Sequence, residues 1–221
     1  MENVDYVNDT QLAYMSYERA KQYKDQQTKR LCWARFATWR QRRCVEKLLK
    51  QSGLTKTASI LDLPCGTGIL ADILQKFSSH IFASDISREM MDFALSDYTT
   101  VNTQGIVQSD VLKSPFHDNS FACVVTLGFI HRLPEHIRGQ ALQELTRISG
   151  KLVIMSCSID TPWQRRKQWL LTRIWPAYQA APSAVSWHAI TQELNMNGLR
   201  LREKLTVVPF LSAEMVLLLE K

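Results

Sequence analysis

The sequence predicts an α/β fold in which a mostly parallel sheet is covered on both faces by helices. Three observations predict it. From residue 59 onward, short apolar runs alternate with helical periods, the pattern of repeated βα units with right-handed crossovers. The run Phe121–Leu127 is apolar almost throughout, as a strand covered on both faces should be. The chain closes on two strand-like segments, Leu201–Val208 and Glu214–Glu220, whose short link makes them an antiparallel hairpin.

Each element follows in order. Tyr17–Lys50 lacks Pro and Gly, and Trp33, Phe36, Ala37, Cys44, Val45, Leu48 and Leu49 recur at helical spacing, so one or two basic amphipathic helices are expected, stopped near Gly53. Ser59–Leu63 reads as a buried strand, and Ile69, Leu70, Ile73, Leu74 and Phe77 as a helical face. His80–Ser84 is a second strand, Ser87–Ser96 a second helix and Gly105–Gln108 a third strand. After the fourth strand, Ile137, Ala141, Leu142, Leu145 and Ile148 mark a helix, and Lys151–Ser156 a fifth strand. Ser186 is placed as an N-cap for a helix ending at Gly198. The boundaries expected are an N-terminal helical cap over 1–52 and a main domain over 53–221, with a lid-like insert at 159–183, all one structural unit.

Composition bounds the function. The 221 residues are 45% hydrophobic, enough for one domain with a full core. Charged residues are 22%, ordinary for a folded chain. The longest apolar run, Phe121–Ile130, is too short to span a bilayer, and the N-terminus has no apolar leader segment. Five cysteines without close pairs give neither a disulfide framework nor a metal site, so a reduced, cytoplasmic protein is expected. The net charge of +6 is uneven: residues 19–50 carry +9, residues 161–181 carry +4, and the remainder carries −7.

The strongest motif is LDLPCGTGIL, residues 61–70, where a strand ends in a glycine turn that opens a helix. Gly66 and Gly68 are expected to let backbone approach a ligand, and the helix N-terminus to offer free N–H groups. Asp85, ending the next strand, can accept both hydroxyls of a ribose. Asp110, after the third strand, can accept from an adenine amine, with Val111 packed on the ring. Gly66, Gly68 and Ala71 also match a dinucleotide fingerprint, a weak match taken alone. Asp62 before the turn, the third carboxylate and the closing hairpin count against a nicotinamide dinucleotide.

Taken together, LDLPCGTG, ASDIS, SDVLKSPF, FACVVTLGFIHRLPEH and ELTRISGKLVIMS resemble the class I S-adenosylmethionine (SAM)-dependent methyltransferases over residues 55–221. The resemblance implies a seven-stranded Rossmann-like sheet of order 3-2-1-4-5-7-6 with strand 7 antiparallel. It implies a SAM site holding Asp62, Pro64, Cys65, Gly66, Gly68, Asp85, Ile86, Asp110, Val111, Leu127 and Gly128. Two positions depart from the family: Pro64 replaces the first turn glycine, and Ala122 follows Phe121 where an acid often stands.

Methyl transfer to a hydroxyl or ammonium group also removes a proton, so a general base helps, and His131 is the candidate. Its competing role is packing over the cofactor. Arg132 can pair with an acidic acceptor. Tyr14, Tyr17 and Tyr23 are expected to reach the pocket from the cap, Tyr23 first among them. The insert carries Trp163, Trp169 and Trp175 among four cations. That mixture suits a lid over a small-molecule, lipid or glycolipid acceptor, then peripheral contact with an anionic membrane surface, and nucleic acid last. A non-catalytic cofactor-binding partner or regulatory subunit, and an RNA or protein methyltransferase, stand as alternatives.

Overall fold

The computed structural model describes residues 15–28, 32–101, 103–174 and 184–221. Helices α1 (Tyr17–Thr28) and α2 (Trp33–Gln51) precede β1 (Ser59–Asp62), α3 (Ala71–Leu74), β2 (His80–Asp85), α4 (Arg88–Thr99) and β3 (Thr103–Gln108). There follow β4 (Phe121–Thr126), a 3-10 turn (Ile130–Arg132), α5 (Glu135–Ile148), β5 (Ser149–Asp160) and α6 (Pro162–Ile174). The two-residue β6 (Val185–Ser186), α7 (Trp187–Met196), β7 (Arg200–Thr206) and β8 (Glu214–Glu220) complete it.

The sheet runs β3-β2-β1-β4-β5-β8-β7, with β6 pairing β5 off this path. Strands β3 to β5 are parallel, while β8 runs antiparallel to both β5 and β7. Leaving the short β6 out of the numbering, this is the order expected from the sequence.

Side-chain alternation explains why the sheet is buried on both faces. Ile60, Cys123, Val125, Leu152, Ile154, Val216 and Leu218 point to one side, where Val45, Leu48 and Leu49 of α2, Leu74 of α3 and Ala94 and Tyr98 of α4 cover them. Leu61, Val124, Val153, Met155, Leu217 and Leu219 point to the other, against Ala141, Leu142 and Leu145 of α5 and Ile190 and Leu194 of α7. Helix α2, expected as part of a cap, therefore also fills one layer of the core. On the opposite layer, Arg138 Nε of α5 donates to Glu193 Oε2 of α7 at 2.6 Å, and a second guanidinium nitrogen binds the other oxygen.

Two elements differ from the sequence reading for physical reasons. The first helical face is real, but only Ala71–Leu74 is α-helical. Around it the backbone tightens into three-residue hydrogen bonds, Ala71 N–H to Gly68 O and Phe77 N–H to Leu74 O among them. Strand β5 is twice the expected length, because β8 pairs with it as far as Ser158 and β6 continues at Ile159 and Asp160.

Candidate functional site

The carboxyl ends of β1, β2 and β4 open into a cleft of about 820 Å³, including the solvent at its mouth. Its walls include Asp62, Pro64, Cys65 and Gly66 after β1, Asp85 and Ile86 after β2, and Leu127, Gly128 and Arg132 after β4. Tyr23 of α1 closes one side. Ten of the residues singled out from the sequence thus meet at one place, where open parallel sheets bind ligands.

The turn after β1 is held by its neighbours. Asp85 is buried, and its two oxygens accept from Gly66 N–H at 2.8 Å and Ser87 N–H at 2.9 Å. Burial raises the Asp85 carboxyl above its ordinary value, and these amide bonds oppose the rise. Asp62 is buried too and accepts from the Tyr98 hydroxyl; desolvation pushes it up to about 7. Gly66 has φ +53°, and a Cβ added there would meet open space, so the backbone faces the cleft bare. The Leu63–Pro64 peptide is cis.

Helix α1 is pinned over this turn. Lys24 Nζ donates to Thr67 O at 2.6 Å and pairs with Asp97 of α4, and Thr67 Oγ1 donates to Gln27 Oε1 at 3.1 Å. Burial, with the Glu214 and Asp85 charges near, pushes the Tyr23 phenol up to about 12, so it stays protonated and can donate.

Several of the expected residues lie away from this wall. Gly68 faces away from the cleft: at φ +81° its missing Cβ would lie 2.9 Å from Ala94 Cα, so this glycine serves close packing of the turn on α4. Helix α3 is one turn long, and the Gly66 amide before it is bound by Asp85. Asp110 and Val111 are not on the wall. Asp110 Oδ1 accepts from Leu112 N–H at 2.9 Å in its own turn, and Val111 is buried in the core. His131 sits in the 3-10 turn, buried and off the wall, and burial pushes its imidazole down to about 4, far below the range useful to a general base at neutral pH. Trp163 and Trp169 do not cover the cleft: Trp163 Nε1 donates to Phe210 O at 2.8 Å, Trp169 lies under the Arg173 guanidinium, and both rings are exposed. Tyr14 and Trp175 lie outside the described residues.

The sequence reading missed a polar group beside the cleft. Glu214 at the start of β8 accepts from Gln41 Nε2 of α2 at 2.7 Å, and the same amide reaches Ser156 Oγ of β5 at 3.2 Å. Ser156 Oγ in turn accepts from Gly128 N–H at 2.8 Å. Burial raises the Glu214 carboxyl, while Arg132, Ser156 and Gln41 oppose the rise. Phe129, within the fourth-strand motif but not singled out there, also lines the cleft, as do Gln27 and Met90, which no motif marked.

The family model described as "Methyltransferase domain" matches residues 60–150, from β1 to the start of β5. A demethylmenaquinone methyltransferase of Staphylococcus aureus (strain JH9) is 29% identical over 130 residues, which are 56% of this chain and 51% of that protein. The chain thus spans about half the length of the curated relatives it matches. Among solved structures, the magnesium protoporphyrin IX methyltransferase of Synechocystis PCC 6803 with bound SAH superposes at TM-score 0.72, with 16% identity over 98% of this chain and 97% of that one. A SAM-dependent methyltransferase from Clostridium acetobutylicum ATCC 824 gives 0.67, with 12% identity over 92% and 97%. At these identities the likeness shows the fold.

Proposed function

We propose that the protein is a SAM-dependent methyltransferase acting on a small-molecule acceptor, lipids and glycolipids included, with a preference for an anionic one. The observation that carries this reading is the convergence of Asp62, Gly66, Asp85, Ile86 and Gly128 on one cleft of a methyltransferase domain.

The residues present fit the cofactor. Two buried carboxylates line an open cleft beside a glycine whose Cβ position is empty. In this reading Asp62 receives the ammonium of the amino-acid end and Asp85 the ribose hydroxyls. Asp85 keeps acceptor capacity for a hydroxyl beyond the Gly66, Ser87 and Ile86 amides that already bond its carboxylate. Ile86, Leu127 and Gly128 supply the flanking walls. Pro64 and Cys65 shape the turn, with Cys65 buried and its thiol pushed up, so it stays unreactive. Asp110, two residues beyond the Gln108 that pairs with Asp85, would meet the adenine once its turn adjusts.

SAM supplies, when bound, a methyl group on a sulfonium centre. The chain contributes alignment and exclusion of water. Arg132 on the wall supplies positive charge to an acceptor that carries or develops an oxyanion. Tyr23, kept protonated, donates to the same acceptor or fixes its angle. An acceptor that ionises on its own requires no base, and that matches a cleft from which His131 is withdrawn. The named acceptors of the two relatives, demethylmenaquinone and magnesium protoporphyrin IX, are small molecules, which supports the substrate class. An acceptor delivered at an anionic membrane surface falls within it.

The test is incubation with methyl-labelled SAM and fractionated cell extract. Label entering the small-molecule or lipid fraction, and lost in Arg132→Ala, is expected. Label in protein or RNA alone would overturn the acceptor class. Tight SAM binding with no transfer to any fraction would favour a non-catalytic partner.

A further inference from the structure

The chain carries its exposed aromatic surface at one end of the sheet, the end where the cleft opens. The cleft lies at the carboxyl ends of β1, β2 and β4. Because β8 is antiparallel to β5, with Ser158 opposite Glu214, the β7–β8 connection sits at that same end. Helix α6 leaves the carboxyl end of β5 and is tied to this connection by Trp163 Nε1 to Phe210 O and Lys167 Nζ to Leu211 O. The first half of α2 reaches it as well, through Arg40 Nε to Val207 O at 3.0 Å.

Each of these three elements exposes large apolar side chains. Phe210 is 77% exposed and Leu211 55% at the tip of the connection. On α6, Trp169, Leu170 and Ile174 are exposed, and Gln164 is the buried residue. On α2, Trp33, Phe36 and Trp39 form an exposed ring ladder with centroids 5.8 and 5.9 Å apart. Scattered exposed apolar residues need no explanation, but three adjoining elements of large side chains do.

The charge around them is predominantly positive. Arg165, Arg166, Lys167 and Arg173 lie on α6 with no acid among its residues. Arg35 and Arg40 lie beside the α2 rings, and the α2 acid Glu46 sits in the other half, paired with Arg43, Lys50 and Lys76. Asp160, just before α6, faces Arg165 at 3.5 Å. Tryptophan and phenylalanine set in a field of Arg and Lys match the headgroup layer of an anionic bilayer: rings enter the interface and each cation adds about 1 kcal/mol near the surface. Among the described residues no helix is long and apolar enough to cross a membrane.

We propose that α6, the 207–213 connection and the first half of α2 form a docking face for an anionic phospholipid bilayer, bringing the cleft mouth to the membrane. The purpose of this docking rests on the proposed methyltransferase reading; its residues do not.

The experiment is flotation of the whole chain with phosphatidylcholine vesicles and with mixed phosphatidylcholine–phosphatidylglycerol vesicles, at low and high salt. Binding to the mixed vesicles, about tenfold or more above the neutral ones and weakened by salt, is expected. Phe210→Ser combined with Ile174→Ser, both exposed and remote from the cleft wall, should weaken it about tenfold while SAM calorimetry is unchanged. No binding to mixed vesicles, equal binding to both kinds, or variants that float like wild type would overturn the proposal. So would single-stranded RNA competing the protein off the vesicles through these same residues. Because SAM binding is read separately, failure of the docking face is distinguishable from failure of the methyltransferase reading.

Discussion

The hydroxyl of Tyr98 in α4 donates to the carboxylate of Asp62 at the end of β1, with both groups buried. The bond fixes the carboxylate at the cleft wall from behind, but burial outweighs it, and Asp62 rises from 3.8 to about 7. Between those values the folded protein holds a proton that the unfolded chain has released. Asp62 therefore lowers stability progressively as pH climbs from about 4 to 7, and the full cost is present above 7. Asp62→Asn, which can still accept from Tyr98, should melt several degrees higher than wild type at pH 8, with the gap closing at low pH. Thermal melts across pH check this, and a gap independent of pH would contradict it.

The same group governs the proposed cofactor site. If ionised Asp62 receives the SAM ammonium, the Kd should worsen about tenfold per pH unit below 7 and level off above it. Calorimetry across this range reads the dependence directly. A flat profile would remove Asp62 from the ammonium contact.

Gly66 and Gly68 should separate by substitution. Gly68→Ala places a Cβ against the α4 backbone at a positive φ, so it should cost about 1–3 kcal/mol from the left-handed backbone alone, and more from the clash. Gly66→Ala, at φ +53°, carries the same left-handed backbone cost but meets no protein atom, so it should lose less stability than Gly68→Ala and more SAM affinity. Denaturant melts and SAM titrations on both variants provide the comparison.

Gln41 is the donor that ties helix α2 to Glu214 and Ser156. Gln41→Ala leaves a buried carboxylate short of a partner and should cost about 1–3 kcal/mol. Its effect should extend to SAM affinity, because Ser156 also holds the Gly128 amide at the cleft wall. A melt unchanged from wild type would show that the network carries no stability.

His131→Asn should retain methyl transfer within a few-fold, and the pH–rate profile should lack a limb belonging to this imidazole, which burial holds near 4. A loss of about a hundredfold or more at unchanged stability would restore it as a catalytic residue.

Much of this was legible in the sequence. The strands and the layer faces follow from alternation and spacing, which are local signals, while the strand order and the grouping of Asp62, Asp85 and Gly128 were implied by the family resemblance of the motifs. The packing role of Gly68 was hidden because a glycine freed for a ligand and one freed for a helix look alike until Ala94 is placed. Glu214 was invisible, since its partners Gln41 and Ser156 lie 173 and 58 positions away in the chain and only the antiparallel pairing of β8 with β5 gathers them. The tryptophans of α6 read as a lid because composition reveals a ring's chemistry and not its direction.

The central claim is that Asp85 and the turn it holds bind SAM. Calorimetry of SAM with wild type and Asp85→Ala, each confirmed folded by thermal melt, tests it most directly. One-site binding by wild type, weakened about tenfold or more in the folded variant, is the result expected. No binding by wild type, or equal affinity in the variant, would contradict it.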